Sequence, residues 1–404
     1  MIALGSDPQR STPFSWWSTT HTTIVLAVLV LVLGVIVAIG AFGPGGNSVP
    51  PDTAQWSTFQ HDERHTGHAV NATVPHADIT DRWATAVDEP VLSSPAVVDD
   101  TLYVGSHDRH VYALNVTDGS PRWQFLTGAP VFSSPAVTDG VVYIGSLDDH
   151  VYAIDAAGGY ERWQLETGGS VFASPTVVDG IVFVGSEDHN VYAIDATDGS
   201  ERWHVSTGGA VVTSPAVAGE TVYVGSLDNH VHALNVTDGT ERWQFQTGGS
   251  VVSSPTIVGE TVFVGSHDAN LYAIDAGDGS ERWNTSTGDW IYASPAVAND
   301  TVYVGSLDER VYALDVTDGS ERWNVSVGDI VRSSAAVTNE TVVVGSVDGH
   351  VYAFDATEGD ERWNYSTGDA VISSPAIVDG VVYVGSHDHH VYALTARDAR
   401  DEDP

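Results

Sequence analysis

The sequence predicts an all-β protein: an eight-bladed β-propeller of four-stranded blades, closed by an N-terminal strand and preceded by one transmembrane helix. Three observations predict this fold. A unit of 40 residues is repeated along most of the chain, each unit contains four short strand patterns, and the two ends of the repeated region are incomplete in complementary ways. Four short strands in about 40 residues is the spacing of one propeller blade.

The repeat is most visible in its tryptophans and in a Gly-Ser pair, which recurs every 40 residues from 105–106 to 385–386. Within one unit the strand patterns are SSPAV, VVYIGS, HVYAID and ERWQLETG, separated by Asp-Gly and Ser-x-Asp turns. No helical period appears after residue 55. We expect each tryptophan to pack across the neighbouring blade as a docking residue, because such rings bury about 150–250 Å² each. These tryptophans are Trp83, Trp123, Trp163, Trp203, Trp243, Trp283, Trp323 and Trp363.

The two ends of the repeated region predict how the ring closes. A fourth-strand pattern without a blade of its own, at residues 81–86, precedes the first complete unit. The last unit stops after its third strand, at Tyr392-Ala393-Leu394. We expect the N-terminal strand to fill the vacant fourth position of the last blade, because ring closure leaves no long free strand edge.

The segment before the propeller predicts a membrane anchor. Residues 24–42 form a run of 19 uncharged residues, and a helix of that length, at about 1.5 Å per residue, nearly spans the ~30 Å hydrocarbon core of a bilayer. A cleaved secretory signal is the alternative, but its apolar core is shorter, about 7–15 residues. The predicted domains are a cytoplasmic N-terminal tail (1–23), the transmembrane helix (24–42), a Gly/Pro linker (43–55), a lead-in segment (56–80), the propeller (81–396) and an acidic C-terminal tail (397–404).

Flanking charges predict the orientation of this anchor. Arg10 is the only Lys or Arg upstream of the apolar run, and Asp52 lies downstream, which favours a cytoplasmic N-terminus. We therefore predict a single-pass protein of the cell membrane with an extracellular propeller. Asn-x-Ser/Thr triplets agree with this placement, although they also arise by chance in Thr-rich repeats. Their acceptor residues are Asn71, Asn115, Asn235, Asn284, Asn299, Asn324, Asn339 and Asn364.

Composition excludes one class of partner and several chemistries. The chain has 54 acidic residues and 15 basic ones, all of them Arg, for a formal net charge of −39. Such a charge repels phosphate backbones, so we expect no nucleic-acid partner. The even spread of acidic residues favours a surface adapted to concentrated salt, with a charged cleft for cations or basic partners as the alternative. The absence of cysteine excludes disulfides, thiol catalysis and thiolate metal sites.

The repeat resembles that of the pyrroloquinoline-quinone-like (PQQ-like) propeller family. The family's tryptophan-docking pattern, Ala-x-Asp-Ala-x-Thr-Gly-x-x-x-Trp, is similar to residues 193–203, AIDATDGSERW, with one Asp inserted between Thr and Gly. Residues 56–67, WSTFQHDERHTG, look like the lead-in found before such propellers. The resemblance covers roughly residues 56–394 and implies the propeller fold. It leaves function open, because one fold hosts many activities.

The resemblance implies two alternatives for function. One branch, the quinoprotein dehydrogenases, holds PQQ and Ca²⁺ in a central funnel beside a vicinal Cys-Cys pair, whereas this chain has no cysteine and almost no insertions. The other branch includes the non-catalytic propeller lipoprotein of the outer-membrane β-barrel assembly machinery, a protein-binding scaffold. We predict a non-catalytic scaffold, anchored through residues 24–42, that binds an unidentified protein or other large ligand and uses no cofactor. The alternative is a quinoprotein-like oxidoreductase or cofactor binder that uses the funnel.

Departures from the repeat predict where a ligand binds. If SSPAV is the innermost strand, the residue before its first Ser faces the mouth of the central channel, and Arg332 is the only charged residue at that position. The predicted ligand-binding cluster is Arg332, Trp290, Tyr292 and Asp329, because an Arg beside aromatic rings can hold a carboxylate or stack on a ring. The alternative is that Arg332 only neutralises Asp329 at a wet rim.

Histidines form a second group of candidates, since ten of them lie in or beside the Ser-x-Asp turns. A metal site needs three or more ligands that converge on one point, and adjacent blades should hold their turns too far apart. We therefore predict solvated turn residues and no metal site. These histidines are His107, His110, His150, His189, His230, His267, His350, His387, His389 and His390.

Overall fold

The computed structural model describes residues 55–70, 72–76 and 78–397. These residues form 32 strands in eight four-stranded antiparallel sheets, so the predicted eight-bladed propeller is confirmed. Among the same residues, no helix has the length and apolar character that a membrane crossing requires. The predicted transmembrane helix, residues 24–42, lies outside the described part of the chain.

The strands follow one another along the chain with short turns between them. In chain order they are β1 (Ile79–Ala86), β2 (Ala96–Val98), β3 (Thr101–Gly105), β4 (His110–Asn115), β5 (Pro121–Leu126), β6 (Ala136–Thr138), β7 (Val141–Gly145), β8 (His150–Asp155), β9 (Glu161–Glu166), β10 (Thr176–Val178), β11 (Ile181–Gly185), β12 (Asn190–Asp195), β13 (Glu201–Ser206), β14 (Ala216–Ala218), β15 (Thr221–Gly225), β16 (His230–Asn235), β17 (Glu241–Gln246), β18 (Thr256–Val258), β19 (Thr261–Gly265), β20 (Asn270–Asp275), β21 (Glu281–Ser286), β22 (Ala296–Ala298), β23 (Thr301–Gly305), β24 (Arg310–Asp315), β25 (Glu321–Ser326), β26 (Ala336–Val337), β27 (Thr341–Gly345), β28 (His350–Asp355), β29 (Glu361–Ser366), β30 (Ala376–Val378), β31 (Val381–Gly385) and β32 (His390–Ala396).

Ring closure follows the prediction made from the ends of the repeat. Strand β1 pairs antiparallel with β32, so the last blade has the order β1-β32-β31-β30. The pairing runs from Ile79 opposite Ala396 to Ala86 opposite His390. The strand begins two residues earlier than the predicted 81–86. The other seven blades each use four consecutive strands, beginning with β2-β3-β4-β5.

Local turn chemistry explains why each blade is so compact. Asp139 and Gly140 join β6 to β7 with φ angles of +50° and +71°, the geometry of a two-residue type I′ hairpin, which Asp-Gly favours. In the next turn of a blade, Asp268 accepts the backbone N–H of Asn270 at 2.9 Å and the hydroxyl of Tyr272 at 2.7 Å. The aspartate therefore satisfies a backbone N–H and a hydroxyl of the turn that would otherwise need water as a hydrogen-bond partner.

The hydrophobic core lies between adjacent blades. One buried cluster, for example, joins Tyr223 and Trp243 of the fourth blade to Val262 and Tyr272 of the fifth. Seven of the eight repeated tryptophans donate their indole N–H to a backbone carbonyl of the next blade at 2.9–3.1 Å. The ring faces the next blade's turn glycine: a Cβ on Gly199 would lie 2.7 Å from Cδ2 of Trp163, and its φ is +75°.

The eighth tryptophan shows how the lead-in segment completes the ring. The last blade has no turn between its third and fourth strands, because these come from opposite ends of the described chain. Trp363 instead donates its indole N–H to the carbonyl of Pro75 at 2.7 Å. The lead-in therefore supplies the carbonyl that a turn supplies in the other blades.

A ring of serines ties the inner ends of the blades together. In each blade the backbone N–H of the second Ser of the SSPAV pattern donates to the hydroxyl of the same serine in the next blade, at 2.9–3.0 Å. The last link, from Ser374 to Ser94, closes the circle. The members are Ser94, Ser134, Ser174, Ser214, Ser254, Ser294, Ser334 and Ser374.

Candidate functional site

The two ends of the central channel are built from different segments. The loops that lead into the innermost strands and the Ser-x-Asp turns share one end, which we call the funnel rim. The Asp-Gly type turns and the turns before the fourth strands share the opposite end. Residues 55–70 lie at that opposite end: Gln55 donates to Asp99, and His68 bonds Asn339, both in turns between first and second strands. We call residues 55–70 the plug.

The plug binds the inner strand edges that face the channel. The second residue of an innermost strand donates its backbone N–H to a plug carbonyl in five blades, at 2.8–2.9 Å. In a sixth blade Val97 and Trp56 bond each other through their backbones, at 2.7 and 2.8 Å. An unpaired inner edge would leave these groups without partners in a confined space. The five donors are Val137, Val217, Ile257, Val297 and Val337. The predicted lead-in is therefore part of the channel wall.

His65 holds the plug at its centre. Its ring is fully buried, with Nδ1 3.2 Å from the carbonyl of Pro255 and Nε2 3.3 Å from the hydroxyl of Thr176. Burial lowers the pKa of His65 to about 4, although the nearby carboxylate of Asp62 opposes that shift. The ring is therefore neutral at pH 7 and acts as a structural link between blades, which makes it a poor candidate for a ligand contact.

At the funnel rim, equivalent side chains from neighbouring blades meet. The residue before the first Ser of each blade is half-buried in seven blades and exposed only as Arg332. Phe132 and Phe172 occupy this position in adjacent blades, with ring centroids 5.1 Å apart. The whole set is Leu92, Phe132, Phe172, Val212, Val252, Tyr292, Arg332 and Ile372. An apolar collar thus surrounds the channel mouth, and Arg332 interrupts it.

The structure brings three of the four predicted binding residues together and adds a histidine. The guanidinium carbon of Arg332 lies 4.8 Å from the centre of the Tyr292 ring. His267 stacks on Trp290, with centroids 4.5 Å apart and planes at 12°, and its ring lies 4.6 Å from Tyr292. Trp290 is 46% exposed, which is rare for so large an apolar ring. We call Trp290, Tyr292, Arg332 and His267 the rim cluster.

Asp329 is not a partner of Arg332. Its Oδ1 accepts the backbone N–H of Ile330 at 2.7 Å, which fixes it in its own loop. No ion pair involving Arg332 occurs within 4.0 Å among the ion pairs of the described residues. Arg332 thus forms no direct ion pair with Asp329 in the described structure: its guanidinium lies over an aromatic ring and is exposed.

Several rim histidines are held neutral near pH 7. Burial, and then the positive charge of Arg332, lower the pKa of His267 below its usual value. Burial is also the main cause that lowers the pKa of His387 and of His107. Because the pKa values of these histidines lie below 6.5, their rings are mostly neutral at pH 7. Acidification then adds positive charge to the rim.

Four of the other histidines, His110, His150, His230 and His390, and the turn aspartates have local hydrogen-bond partners. His110, for example, lies 3.2 Å from Asp108 of its own turn. The aspartates of these turns accept hydrogen bonds from backbone and tyrosine donors, as Asp268 does. Within residues 55–70, 72–76 and 78–397, no group of three or more His, Asp or Glu side chains converges as a metal site would require.

A groove at the plug end offers a less suitable site. It has a volume of about 630 Å³ and lies between the first two blades. Its arginines are already paired: Arg122 lies 2.6 Å from Asp100, and Arg162 lies 2.7 Å from Asp155. None of the predicted binding residues lines it. The funnel rim is therefore the better candidate.

Sequence reasoning missed the stacking role of His267 and the position of the plug. His267 follows a Gly-Ser pair, where three other blades have Leu and one has Val. The signal that could have identified His267 is its place in blade five, because the fourth strand of that blade leads into the loop that carries Trp290. The path of the plug depends on contacts with strands up to 270 residues away, which no local pattern reveals.

Two families match the sequence. Residues 179–396 match the family described as "Beta-alanine-activating enzyme, beta-propeller". Residues 76–165 match the family described as "Outer membrane protein assembly factor BamB". Among curated proteins, none matches the chain.

Solved structures share the fold at low sequence identity. BamB from Moraxella catarrhalis is 20% identical, with a TM-score of 0.69, over 78% of this chain and 99% of that one. The quinohemoprotein alcohol dehydrogenase ADHIIG from Pseudomonas putida HK5 is 18% identical, with a TM-score of 0.74, over 85% of this chain and 80% of that one. A europium-containing methanol dehydrogenase is 14% identical, with a TM-score of 0.75, over 85% and 98%. At these identities the likeness concerns the fold.

The repeat, the fold and the family matches all indicate a β-propeller built from repeats. The match to the β-propeller of beta-alanine-activating enzyme covers more than half of the chain, and the match to BamB covers blades that precede it. The chain therefore belongs to the PQQ-like family of repeat β-propellers.

Proposed function

We propose that this protein is a membrane-anchored, extracellular, non-catalytic scaffold that binds a protein or other large ligand at its funnel rim. The observation that carries the proposal is the rim cluster, in which an exposed Trp290 stacks on His267 beside Arg332, which has no ion-pair partner among the described residues. At the collar position, six of the other seven blades have an apolar residue and one has Tyr292. The rim cluster contains Trp, Tyr and Arg, the residue types that contribute most of the binding energy at protein interfaces.

The chemistry of the rim cluster favours a partner with a carboxylate next to an apolar or aromatic group. Arg332 can donate two parallel hydrogen bonds to a carboxylate, while Trp290 offers an exposed ring for stacking. Such a site stands out in a chain with a net charge of −39. Since a guanidinium already in contact with Tyr292 loses little freedom on binding, the contact should be well oriented.

Two further features support the anchor and the scaffold role. The apolar run at 24–42, as a helix, nearly spans the hydrocarbon core of a bilayer. The family match to an outer membrane protein assembly factor, BamB, connects the fold to a protein that acts at a membrane. We place the N-terminus in the cytoplasm and the propeller outside the cell.

Placement can be tested because the chain contains no cysteine. In Ser200→Cys, the new thiol is the only one and lies at an exposed turn position. We expect a membrane-impermeant maleimide to label this variant equally in intact and in lysed cells. Deletion of residues 24–42 should release the protein from the membrane fraction. Labelling only after lysis would contradict an extracellular propeller.

The binding role can be tested by removing the cluster. We expect crosslinking on intact cells, followed by purification of the chain, to recover a partner with the natural protein and to lose it with Trp290→Ser combined with Arg332→Gln. Tyr160→Ser is the matched control, because Tyr160 is 61% exposed at the opposite end of the ring. Equal recovery with all three proteins would contradict the proposal.

The same assay should depend on pH. A carboxylate is bound more tightly by a rim with protonated histidines, and the pKa values of His267 and His387 lie below 6.5. We therefore expect recovery to increase as the pH falls below 6.5, as long as the carboxylate of the partner stays ionised. The increase should shrink in His267→Gln.

The second candidate function is a quinoprotein-like oxidoreductase, favoured by the structural likeness to alcohol and methanol dehydrogenases. The residues at the funnel do not fit the group that such enzymes bind. Ca²⁺ takes 6–8 oxygen ligands, whereas the collar position holds six apolar residues, Tyr292 and Arg332. A melting shift on addition of PQQ and Ca²⁺ would favour this second function, since ligand at 100 times its Kd should stabilise the fold by about 2.7 kcal/mol.

A further inference from the structure

We propose that the outer strands of blades five, six and seven carry N-linked oligosaccharides on Asn284, Asn324 and Asn364. This inference rests on the extracellular placement proposed above. Each residue directly follows a docking tryptophan and begins an Asn-x-Ser triplet. The three acceptors occupy the same position in three consecutive blades, which also carry the rim cluster.

Comparison of the blades shows which copies of the repeat carry these triplets. At the position after the tryptophan, three blades have Gln and three have Asn. Two residues later, all three Asn copies have Ser, whereas the Gln copies have Leu126, Glu166 and Gln246. Gln and Asn offer the same amide for hydrogen bonding. Ser also occurs at this position as Ser206 of the third blade, after His204, but in none of the Gln copies. All three Asn copies therefore meet the requirement of a glycosylation triplet, and no Gln copy has the Ser.

The residue between Asn and Ser differs among the three blades, although the Asn and the Ser are the same in each. It is Thr285 in the fifth blade, Val325 in the sixth and Tyr365 in the seventh. These side chains are half-buried and point to the same side of the strand as the tryptophan. Asn and Ser lie on the other side, where Asn284 and Asn364 are exposed and Asn324 is half-buried.

Hydrogen bonding leaves these amides accessible. The Nδ2 groups of Asn284 and Asn364 donate to Glu281 and Glu361, each at 2.7 Å and each on an exposed side chain of the same strand. Asn324 donates to Glu321 in the same way at 2.6 Å, and its Oδ1 also accepts from Arg310. An exposed Glu can turn to water when the amide nitrogen is substituted.

Asn339 provides the contrast. It also begins an Asn-x-Thr triplet, but its Nδ2 donates to the carbonyl of Val70 at 2.8 Å and its Oδ1 lies 3.1 Å from Nε2 of His68. A sugar on that nitrogen would displace the plug. We therefore expect Asn339 to remain unmodified.

The chemistry is a group transfer from an activated oligosaccharide. The Nδ2 of Asn forms a bond to the anomeric carbon of an oligosaccharide carried on a lipid phosphate. The bond from that carbon to the phosphate oxygen breaks, the lipid phosphate leaves, and Nδ2 loses one proton. The products are a glycosylated amide and a free lipid phosphate.

Sugars at these positions would cover the outermost strands on one flank of the ring. Strands β21, β25 and β29 each have one edge without a partner strand, and such edges promote pairing between molecules. Bulky, hydrated groups would block that pairing while leaving the funnel rim open. The same sector would then combine a protected flank with an open binding face.

The test is the mass of the full chain isolated from its own cells. We expect Ser286→Ala, Ser326→Ala and Ser366→Ala each to lower the mass by one oligosaccharide, although each keeps its Asn. Ser206→Ala is the matched control: it lies at the same strand position, but His204 stands where the acceptor would be, so no sugar should be lost.

The outcome can be separated from that of the proposed function. Unmodified peptides around Asn284, Asn324 and Asn364, in cells where the Ser200→Cys variant is labelled from outside, would overturn this inference alone. A Ser200→Cys variant that is not labelled on intact cells would overturn both the placement and the modification. A sugar found on Asn339 would contradict the structural selection of acceptors.

Discussion

At the scale of single residues, the turn aspartate of every blade has a side-chain partner on the strand that follows, although the residue type of that partner changes in one blade. Seven blades use a tyrosine hydroxyl to reach the turn aspartate, as Tyr272 reaches Asp268 at 2.7 Å. The fourth blade has His232 instead, with Nε2 3.1 Å from Asp228 and Nδ1 2.7 Å from Glu241. The aspartate therefore matters more to the turn than the residue type that contacts it.

The buried His65 leads to a prediction about pH. Its pKa falls from 6.5 in the unfolded chain to about 4 in the fold, so the folded state disfavours the proton. The corresponding stability, about 3 kcal/mol, is complete above pH 6.5 and is lost as the pH falls toward 4. Chemical denaturation of the natural protein and of His65→Gln at pH 7 and pH 4 checks this: the natural protein should lose about 3 kcal/mol more. Equal losses would show that His65 is not buried in the channel.

At the scale of elements, the serine ring predicts a defined cost. Ser214→Ala removes the acceptor of the buried Ser174 N–H, which should lower the free energy of unfolding by about 1–3 kcal/mol. Ser200→Ala, whose hydroxyl lies at an exposed turn, should change it by less than about 0.5 kcal/mol. Equilibrium denaturation of both variants measures the difference. Equal, small effects would mean that the ring contributes nothing to cohesion.

The sequence predicted strands and closure well because both depend on local chemistry. Asp139-Gly140 specifies its own hairpin through two positive φ angles, and the unpaired pattern at 81–86 has one vacant place to fill. The plug could not be predicted in this way. Its hydrogen bonds join residues 56–69 to six blades, and only the folded ring brings those strands to one channel.

The candidate site was predicted in part for the same reason. Arg332 was identified because it breaks an apolar series that is visible in the repeat. Its partner could not be read from the sequence: Asp329 is closer along the chain, but the loops of neighbouring blades place the Tyr292 ring under the guanidinium. Contacts between blades, and not between neighbours in sequence, decide the geometry of the rim.

At the scale of the whole molecule, the net charge of −39 should make stability depend on salt. Repulsion among surface carboxylates is screened over about 10 Å at 0.1 M salt and about 3 Å at 1 M. We expect the melting temperature to rise between 0.1 and 2 M KCl. The rise should be smaller in the triple variant Asp139→Asn, Asp179→Asn and Asp379→Asn, because it carries fewer surface charges. Asn is chosen because it tolerates the positive φ of these turns. A melting temperature that is independent of salt would contradict this expectation.

The ring as a whole presents two different ends, one filled by the plug and one open at the rim cluster. The most direct test of the proposed function is therefore positional. A photoreactive amino acid is placed at residue 290 in one protein and at residue 160 in another, two exposed aromatic positions at opposite ends of the ring, and intact cells are irradiated. We expect a specific adduct from position 290 that disappears in the Arg332→Gln background, and none from position 160. An adduct from position 160 alone, or equal adducts from both, would contradict the proposed function.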